Sequence, residues 1–229
     1  MLIRGRLALI ASKVPKCSCV CDVGTDHAYI PIYLIKNDIC SRAIASDLTP
    51  GPIETAKRNI EFFGLNSDIE TRVGYGLSTL KKNEADVIVI AGMGGVLIAE
   101  ILEKDIDKAK SASALVIQPM NAIEVTRKWL YDNGFEIFDE ELVREGRKIY
   151  NVIVAKWTGH TRKVAEVYYY IGEMLEKKRD PLLKEYIIRK ANTLKNILEE
   201  IEKNTECEDK KYIEYKSLYN GLSKILEKL

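Results

Sequence analysis

The feature that most constrains this chain is the alternation of short apolar runs with helix-length segments through its first 157 residues. Five runs rich in apolar and β-branched residues read as strands: Val20 to Gly24, Arg42 to Asp47, Ile69 to Val73, Asp86 to Ala91 and Ala114 to Gln118. Between and before them, apolar residues recur at helical spacing. Leu7, Ile10, Ala11 and Val14 mark a helix over Arg4 to Val14 that Pro15 closes, and Ile53, Ala56, Ile60 and Phe63 mark one over Pro50 to Phe63. Val96 to Glu103 and Ile123 to Asn133 complete the series, the last ending before Gly134. Such alternation implies parallel strands joined by right-handed crossovers, hence an α/β fold built on an open, doubly wound sheet. After Gly134 the pattern changes. Phe135 to Arg144 and Lys148 to Trp157 are consecutive strands around the turn Glu145-Gly146-Arg147, which predicts a closing antiparallel hairpin.

From Gly159 onward no strand pattern remains. Tyr212, Tyr215, Tyr219, Leu222, Leu226 and Leu229 recur in alternating steps of three and four, and Leu183, Ile187, Leu194, Ile197 and Ile201 nearly follow the same seam, broken at Lys190. These are coiled-coil-like helices, expected to fold back on each other across the polar stretch Asn204 to Asp209. A shorter helix near Val164 to Lys178 leads in. The expected division is residues 1–158 as an α/β domain and 159–229 as a helical, coiled-coil-like domain. Lys177, Lys178, Arg179, Lys184, Arg189, Lys190 and Lys195 concentrate basic charge there, as a solvated face or as a clamp on an anionic substrate.

Charge bounds the partners. Thirty-five Lys and Arg against 34 Asp and Glu leave a net charge of +1, which excludes a protein basic over its whole surface but allows a local basic patch. The start MLIRGRLALIASKVPK is too interrupted for a secretory signal, and the longest apolar run, Val87 to Ala99, is too short to span a bilayer. A cytoplasmic protein with no membrane partner, monomeric or weakly dimeric, is expected. Cys17, Cys19 and Cys21 invite a zinc reading, but their spacing of two puts the sulfurs on one face of a strand, and Cys40 and Cys207 supply no second ligand pair. Reduced thiols and no metal are expected.

Open α/β sheets bind ligands beyond the carboxyl ends of their strands. The first strand ends in Asp22-Val23-Gly24-Thr25-Asp26-His27-Ala28-Tyr29. A dinucleotide fingerprint needs further glycines where Asp26 and Ala28 stand, and Asp26 would repel a pyrophosphate. Carboxylates suit a cofactor bearing an ammonium and a sulfonium, as S-adenosylmethionine does. Asp47, with Leu48 after it, ends the second strand where an acid commonly accepts ribose hydroxyls; the alternative is a cap on the next helix. Gly74-Tyr75-Gly76 reads as a flexible loop on the adenine side. Ala91-Gly92-Met93-Gly94-Gly95 permits close backbone approach at a helix N-terminus, as a ligand loop or a packing turn. Arg4, Arg6, Lys13 and Lys16 are candidate phosphate contacts, and Asn121 either meets a base edge or caps a helix.

A mainly parallel sheet that ends in an antiparallel hairpin is the arrangement of Rossmann-like class I methyltransferases. The strings DVGTDHAYIPIYL, ASDLTPGPIETAKRNI, VIAGMGG and LVIQPMN resemble the bacterial tRNA (adenine-22-N1)-methyltransferases. That resemblance spans nearly all of the first domain and implies S-adenosylmethionine-dependent methylation of N1 of an adenine in the D arm of tRNA. By position it implies that Asp22, Gly24, Thr25, Asp26, Asp47, Gly76 and Met93 line the cofactor site, with Leu48, Gly74, Ala91 and Gly92 beside them. For such a transfer Asp26 is the candidate at the reacting base, with His27 and Tyr29 as base contacts, His27 being alternatively a turn histidine bonded to backbone. Arg4, Arg6, Lys13, Gly94 and Asn121 are candidates toward the RNA. Two other functions fit the fold: methylation of a small molecule or protein, and a non-catalytic cofactor-binding module whose helical tail recruits a partner.

Overall fold

The computed structural model describes residues 2–204 and 210–229. Two compact units emerge, residues 1–163 and 164–229. The first runs α1 (Gly5–Ser12), β1 (Cys17–Val23), α2 (Tyr29–Lys36), β2 (Cys40–Asp47), α3 (Pro50–Phe62), β3 (Ile69–Val73), a 3-10 turn (Gly76–Thr79), β4 (Val87–Met93), α4 (Gly95–Lys104), α5 (Ile106–Ser111), β5 (Ala114–Pro119), α6 (Ile123–Asp132), β6 (Phe135–Glu145) and β7 (Lys148–Trp157). Its seven strands form one sheet in the order β3-β2-β1-β4-β5-β7-β6. The first five are parallel, and β7 is antiparallel to both β5 and β6.

Strands β1, β2, β4 and β5 sit inside the sheet, so both of their faces are covered and their central residues are buried on both sides, with polar residues such as Ser18, Ser41, Arg42 and Asp47 toward the strand ends. Val20, Ala43, Ala45, Val87, Val89 and Val116 pack with Ile10, Ile32, Leu34, Ala56 and Ile60 in one cluster beneath α1, α2 and α3. Cys21, Ile44, Ile88, Ile90, Leu115 and Ile117 alternate with them and are equally buried. The five strands and the hairpin match the alternation in the sequence. Helices α2 and α5 were not separately legible. Tyr29–Lys36 is apolar on nearly every side and so lacks helical periodicity, and Pro31 reads as a break although it falls in the first turn, where proline is tolerated.

The second unit contains α7 (Glu166–Ile171), α8 (Glu173–Lys177), α9 (Leu183–Asn204) and α10 (Lys210–Leu226). The single lead-in helix expected near Val164 to Lys178 is two, because Gly172 adopts φ +79° between them. Helices α9 and α10 run antiparallel. The Tyr212 hydroxyl donates to Glu202 at 2.6 Å, and Lys228 and Leu229 lie beside Leu183 and Lys184. The seam is not broken at Lys190: Leu183, Ile187, Ala191, Leu194 and Leu198 bury a continuous face, with Ala191 rather than Lys190 upon it. Tyr212, Leu218, Leu222 and Ile225 form the buried face of α10, one residue out of step with the expected Tyr219 and Leu226. Much of Asn204 to Asp209, including Cys207, lies outside the described residues.

Among the described residues no helix is long and apolar enough to cross a membrane, and no group of three His, Cys, Asp or Glu side chains could hold a metal ion. Cys17 lies in register with Cys40 across β1 and β2, and Cys19 and Cys21 are buried.

Candidate active site

The carboxyl ends of β1, β4 and β5 surround a pocket of about 360 Å³ lined by Arg6, Leu7, Asp22, Gly24, Thr25, Asp26, His27, Tyr29, Ile30, Ala91, Gly92 and Met120. Asp22 forms part of its lining and is almost fully buried, 4% exposed. The Thr25 hydroxyl donates to it at 2.7 Å. Burial pushes the Asp22 carboxyl up to about 6; the Thr25 hydrogen bond opposes that rise and the charge of Asp47 adds to it.

The turn after β1 is fixed by backbone bonds, with Gly24 and Thr25 N–H groups both donating to Ser46 O at 2.8 and 2.9 Å. Gly24, Asp26 and Ala28 take positive φ (75°, 50° and 57°), so alternate residues of the turn are left-handed. For Asp26 and Ala28 that conformation is strained, and such strain is concentrated at functional sites. The result sets Asp26 at the pocket rim with its carboxylate 3.3 Å from His27 Nε2. The His27 and Tyr29 rings stack at 5.1 Å with 13° between planes.

The β4 loop contributes through a bulge. Between Ala91 and Met93 the register with β5 shifts, and Gly92 takes φ +76°. Its freed N–H donates to Gln118 Oε1 at 3.2 Å. Met93 reaches under the first turn: a Cβ on Gly24 would meet Met93 Cε at 2.2 Å. The loops after β4 and β5 are zipped together by Met120 N–H to Met93 O (2.8 Å) and Gly95 N–H to Asn121 O (3.0 Å). A Cβ on Gly94 would lie 3.0 Å from Asn121 Oδ1, so these two residues adjoin. Asn121 makes no side-chain cap on α6, whose N-cap is Ala122.

On the other side, Asp47 ends β2 half-buried, and its Oδ1 accepts from the Thr49 N–H (3.1 Å) and hydroxyl (3.3 Å). It therefore shapes the turn into α3, while α3 itself has no side-chain cap. Gly74 N–H donates to Asp47 O at 2.8 Å, joining the β2 and β3 loops. Of the segment expected to be a flexible loop, Gly74 and Tyr75 lie outside regular structure, while Gly76 and Leu77 are buried at the start of a 3-10 turn over Gly76–Thr79, pinned by Arg72 Nη1 donating to Thr79 O at 2.7 Å.

The structure thus gathers Arg6, Asp22, Gly24, Thr25, Asp26, His27, Tyr29, Ala91 and Gly92 around one pocket. Asp47, Leu48, Gly74 and Gly76 are grouped at the ends of β2 and β3 outside its lining, and Met93, Gly94 and Asn121 back it. Arg4 is exposed at the start of α1. Lys13 requires a correction. It lies at the far end of α1, clamped between Asp139 (2.9 Å) and Glu141, so its charge is already spent within the fold. Burial opposes its charge, yet the two carboxylates hold its pKa above the ordinary lysine value. Lys16 precedes β1 and so lies at the opposite end of the strand from the pocket. Gln118 and Met120 were missed as single site residues. Their role comes from the β5 end facing Arg6, 112 residues away from Gln118 in sequence.

The donor set fits a cationic amino-acid-bearing cofactor better than a pyrophosphate: two aspartates enter the lining, and Met93 fills the space below Gly24. The family model for tRNA (adenine(22)-N(1))-methyltransferase matches residues 20–220. The chain belongs to that family. A tRNA (adenine(22)-N(1))-methyltransferase of Bacillus subtilis (strain 168) is 45% identical over 152 residues, 66% of this chain. That match spans 63% of the Bacillus protein's length, under two thirds. The crystal structure of the B. subtilis m1A22 tRNA methyltransferase TrmK superposes with a TM-score of 0.89 at 34% identity, covering 99% of this chain and 100% of that one. M. capricolum TrmK, in complex with the cofactor product S-adenosyl-homocysteine, gives 0.84 at 26% identity with 99% of each chain covered. Both solved structures share the fold of this chain over nearly its whole length.

Proposed function

We propose that this chain transfers a methyl group from S-adenosylmethionine to N1 of adenine 22 in the D arm of tRNA. The observation that carries this reading is the pocket at the ends of β1 and β4, with buried Asp22 and rim residues Asp26, His27 and Tyr29, in a chain matched to the family over residues 20–220. When bound, the cofactor supplies an electrophilic methyl on a cationic sulfur. Asp22 and Asp26 give the pocket the negative charge that suits such a ligand, and Gly24 and Gly92 let backbone approach it closely. Asp47 and the Gly74 to Gly76 segment hold the adenosine end.

Ring N1 of neutral adenine carries a free lone pair, so no side chain must remove a proton. Orientation of that nitrogen supplies the greater part of the acceleration. The stacked His27 and Tyr29 rings offer a platform for a base drawn out of its stack. The methylated base is cationic, and the Asp26 carboxylate at the rim stabilises the charge as it develops. Arg4 and the helical unit's basic residues supply phosphate contacts, which replaces the expectation placed on Lys13. The protein would act in the cytoplasm as a monomer or weak dimer.

The test is transfer of labelled methyl from S-adenosylmethionine to unmodified bacterial tRNA, with the modified nucleotide mapped. Label at A22 is the expected result. Cofactor binding without label on RNA, but with label on a small molecule or protein, would replace the RNA reading. Binding with no transfer to any acceptor would leave a non-catalytic module.

A further inference from the structure

Arg6 brings a full positive charge into a pocket that also contains two aspartates, and its placement is built rather than incidental. It comes from α1, and its Nη1 donates to Gln118 Oε1 at 2.7 Å. Its guanidinium stands 5.2 Å from the centre of the Tyr150 ring. Among the described residues Arg6 Nε is buried and has no hydrogen-bond partner, the nearest carboxylate oxygen on Glu145 being 3.9 Å away. Gln118 is completely buried, and its Nε2 donates to Pro119 O at 2.8 Å. That bond fixes which way the amide points, leaving Oε1 to receive both Arg6 and the Gly92 N–H displaced by the bulge. One amide oxygen therefore ties α1 to the loop after β4.

The choice of glutamine matters. A glutamate there would bind Arg6 more tightly but would neutralise it and lose the donor to Pro119 O. A neutral amide orients the guanidinium without neutralising it, and the ion pair of Arg6 with Glu145 is long at 3.9 Å. The pocket is consequently bipolar, with acids on the β1 side and one guanidinium on the α1 side, above Gly92. A ligand matching that pattern carries cations and an anion close together. The amino-acid end of S-adenosylmethionine does so: an ammonium and a carboxylate on one carbon, near the sulfonium.

We propose that Arg6 binds the carboxylate of the cofactor's amino-acid end and that Gln118 is its positioning residue. This rests on the cofactor reading above and reassigns Arg6 from the RNA phosphate that the sequence suggested. Carboxylate and phosphate are both oxyanions, so the experiment separates the two sources by ligand. Isothermal titration calorimetry is run on the full chain and on Arg6→Ala, Arg6→Lys, Gln118→Ala and the Arg6→Ala/Gln118→Ala double variant. The ligands are S-adenosylmethionine, S-adenosylhomocysteine and decarboxylated S-adenosylmethionine, which lacks only the carboxylate.

Arg6→Ala is expected to weaken both carboxylate-bearing ligands about 10- to 100-fold, the range of a charge-assisted hydrogen-bonded pair. Arg6→Lys should recover part of the loss. Gln118→Ala should weaken the same two ligands several-fold and add nothing in the Arg6→Ala background, as a residue acting through Arg6 must. Decarboxylated cofactor should bind the parent and every variant alike, which also reports that the pocket is intact in each. Equal losses for all three ligands would overturn the proposal, since the effect would not run through the carboxylate. So would unchanged cofactor affinity in Arg6→Ala with weakened tRNA binding and a shallower salt dependence, which would return Arg6 to a phosphate. If the unaltered chain bound none of the three ligands, the cofactor reading itself would fall.

Discussion

Asp22 shows how one side chain can link stability to ligand binding. Its carboxyl, ordinarily at 3.8, is pushed up to about 6 by burial, against the Thr25 hydrogen bond and with help from Asp47. A carboxyl whose folded value is raised costs stability as pH climbs past its unfolded value, and the full cost is present above the folded one. Two units correspond to about 3 kcal/mol at most. Asp22→Asn, which keeps an acceptor for Thr25, should therefore melt with the parent near pH 4 and above it at pH 8. The charge that costs stability is the one that favours a cationic ligand, so affinity for S-adenosylmethionine should fall as pH drops through 6 in the parent and be low and flat in Asp22→Asn. Parallel pH profiles by calorimetry would remove Asp22 from the cofactor. Asp26→Asn should behave differently: turnover falls more than cofactor affinity, whereas equal loss would make it a cofactor ligand. Both aspartates were legible in the sequence as members of one strand end and the turn after it. Their division into a buried acid and a rim acid was not, because it depends on the left-handed φ at Asp26.

At the scale of elements, the site depends on how closely the loops after β4 and β5 meet. A Cβ on Gly95 would lie 2.2 Å from Ala122 O, and the Thr126 hydroxyl donates to Gly95 O at 3.2 Å, so α4 and α6 start in direct backbone contact. Gly95→Ala must separate them, and overpacking of this kind costs about 1–3 kcal/mol. Gly51, in the first turn of α3, has an ordinary φ, and a Cβ there would meet nothing within 4 Å. Gly51→Ala should raise stability by about 0.4–1 kcal/mol through the unfolded chain. Urea unfolding of the two variants checks both signs, and similar midpoints would sink the argument from close approach. The parallel strands and the closing hairpin were legible because strand runs alternate with helical periodicity up to Gly134 and two consecutive strands then flank the turn at Gly146. The spatial order of the strands was not, because nothing in the spacing records it. What else stayed hidden is local. The all-round apolarity of Tyr29–Lys36 conceals a helix, Gly172 divides another, and the glycine run after β4 does not show which glycine bulges and which touches α6.

For the whole molecule, a net charge of +1 means that tRNA cannot be held by a general positive field. The helical unit is no exception, since its Lys and Arg are matched one for one by Asp and Glu over residues 164–229. Several cations of the basic stretch are committed within the fold: Lys177 to Glu173 (3.5 Å), Arg189 to Glu185 (2.7 Å) and Lys195 to Glu199 (3.9 Å), while Lys190 stands over the Tyr186 ring at 5.0 Å. Arg179, Lys184 and Lys228 differ, because chain reversal between α9 and α10 brings them to one hollow with Asp180. Three cations around one concavity suit a phosphate backbone, with each neutralised phosphate releasing counterions. Replacing all three by Gln should lower the slope of log affinity for tRNA against log salt by about 2–3. Replacing Lys177, Arg189 and Lys195 should lower it less, because those charges already face carboxylates. Neither set should alter S-adenosylmethionine binding, since the pocket's lining residues all belong to the first unit. Equal slopes for the two triple variants would mean that their ion pairs open to meet RNA, and an unchanged slope in both would assign the phosphate contacts to residues 1–163.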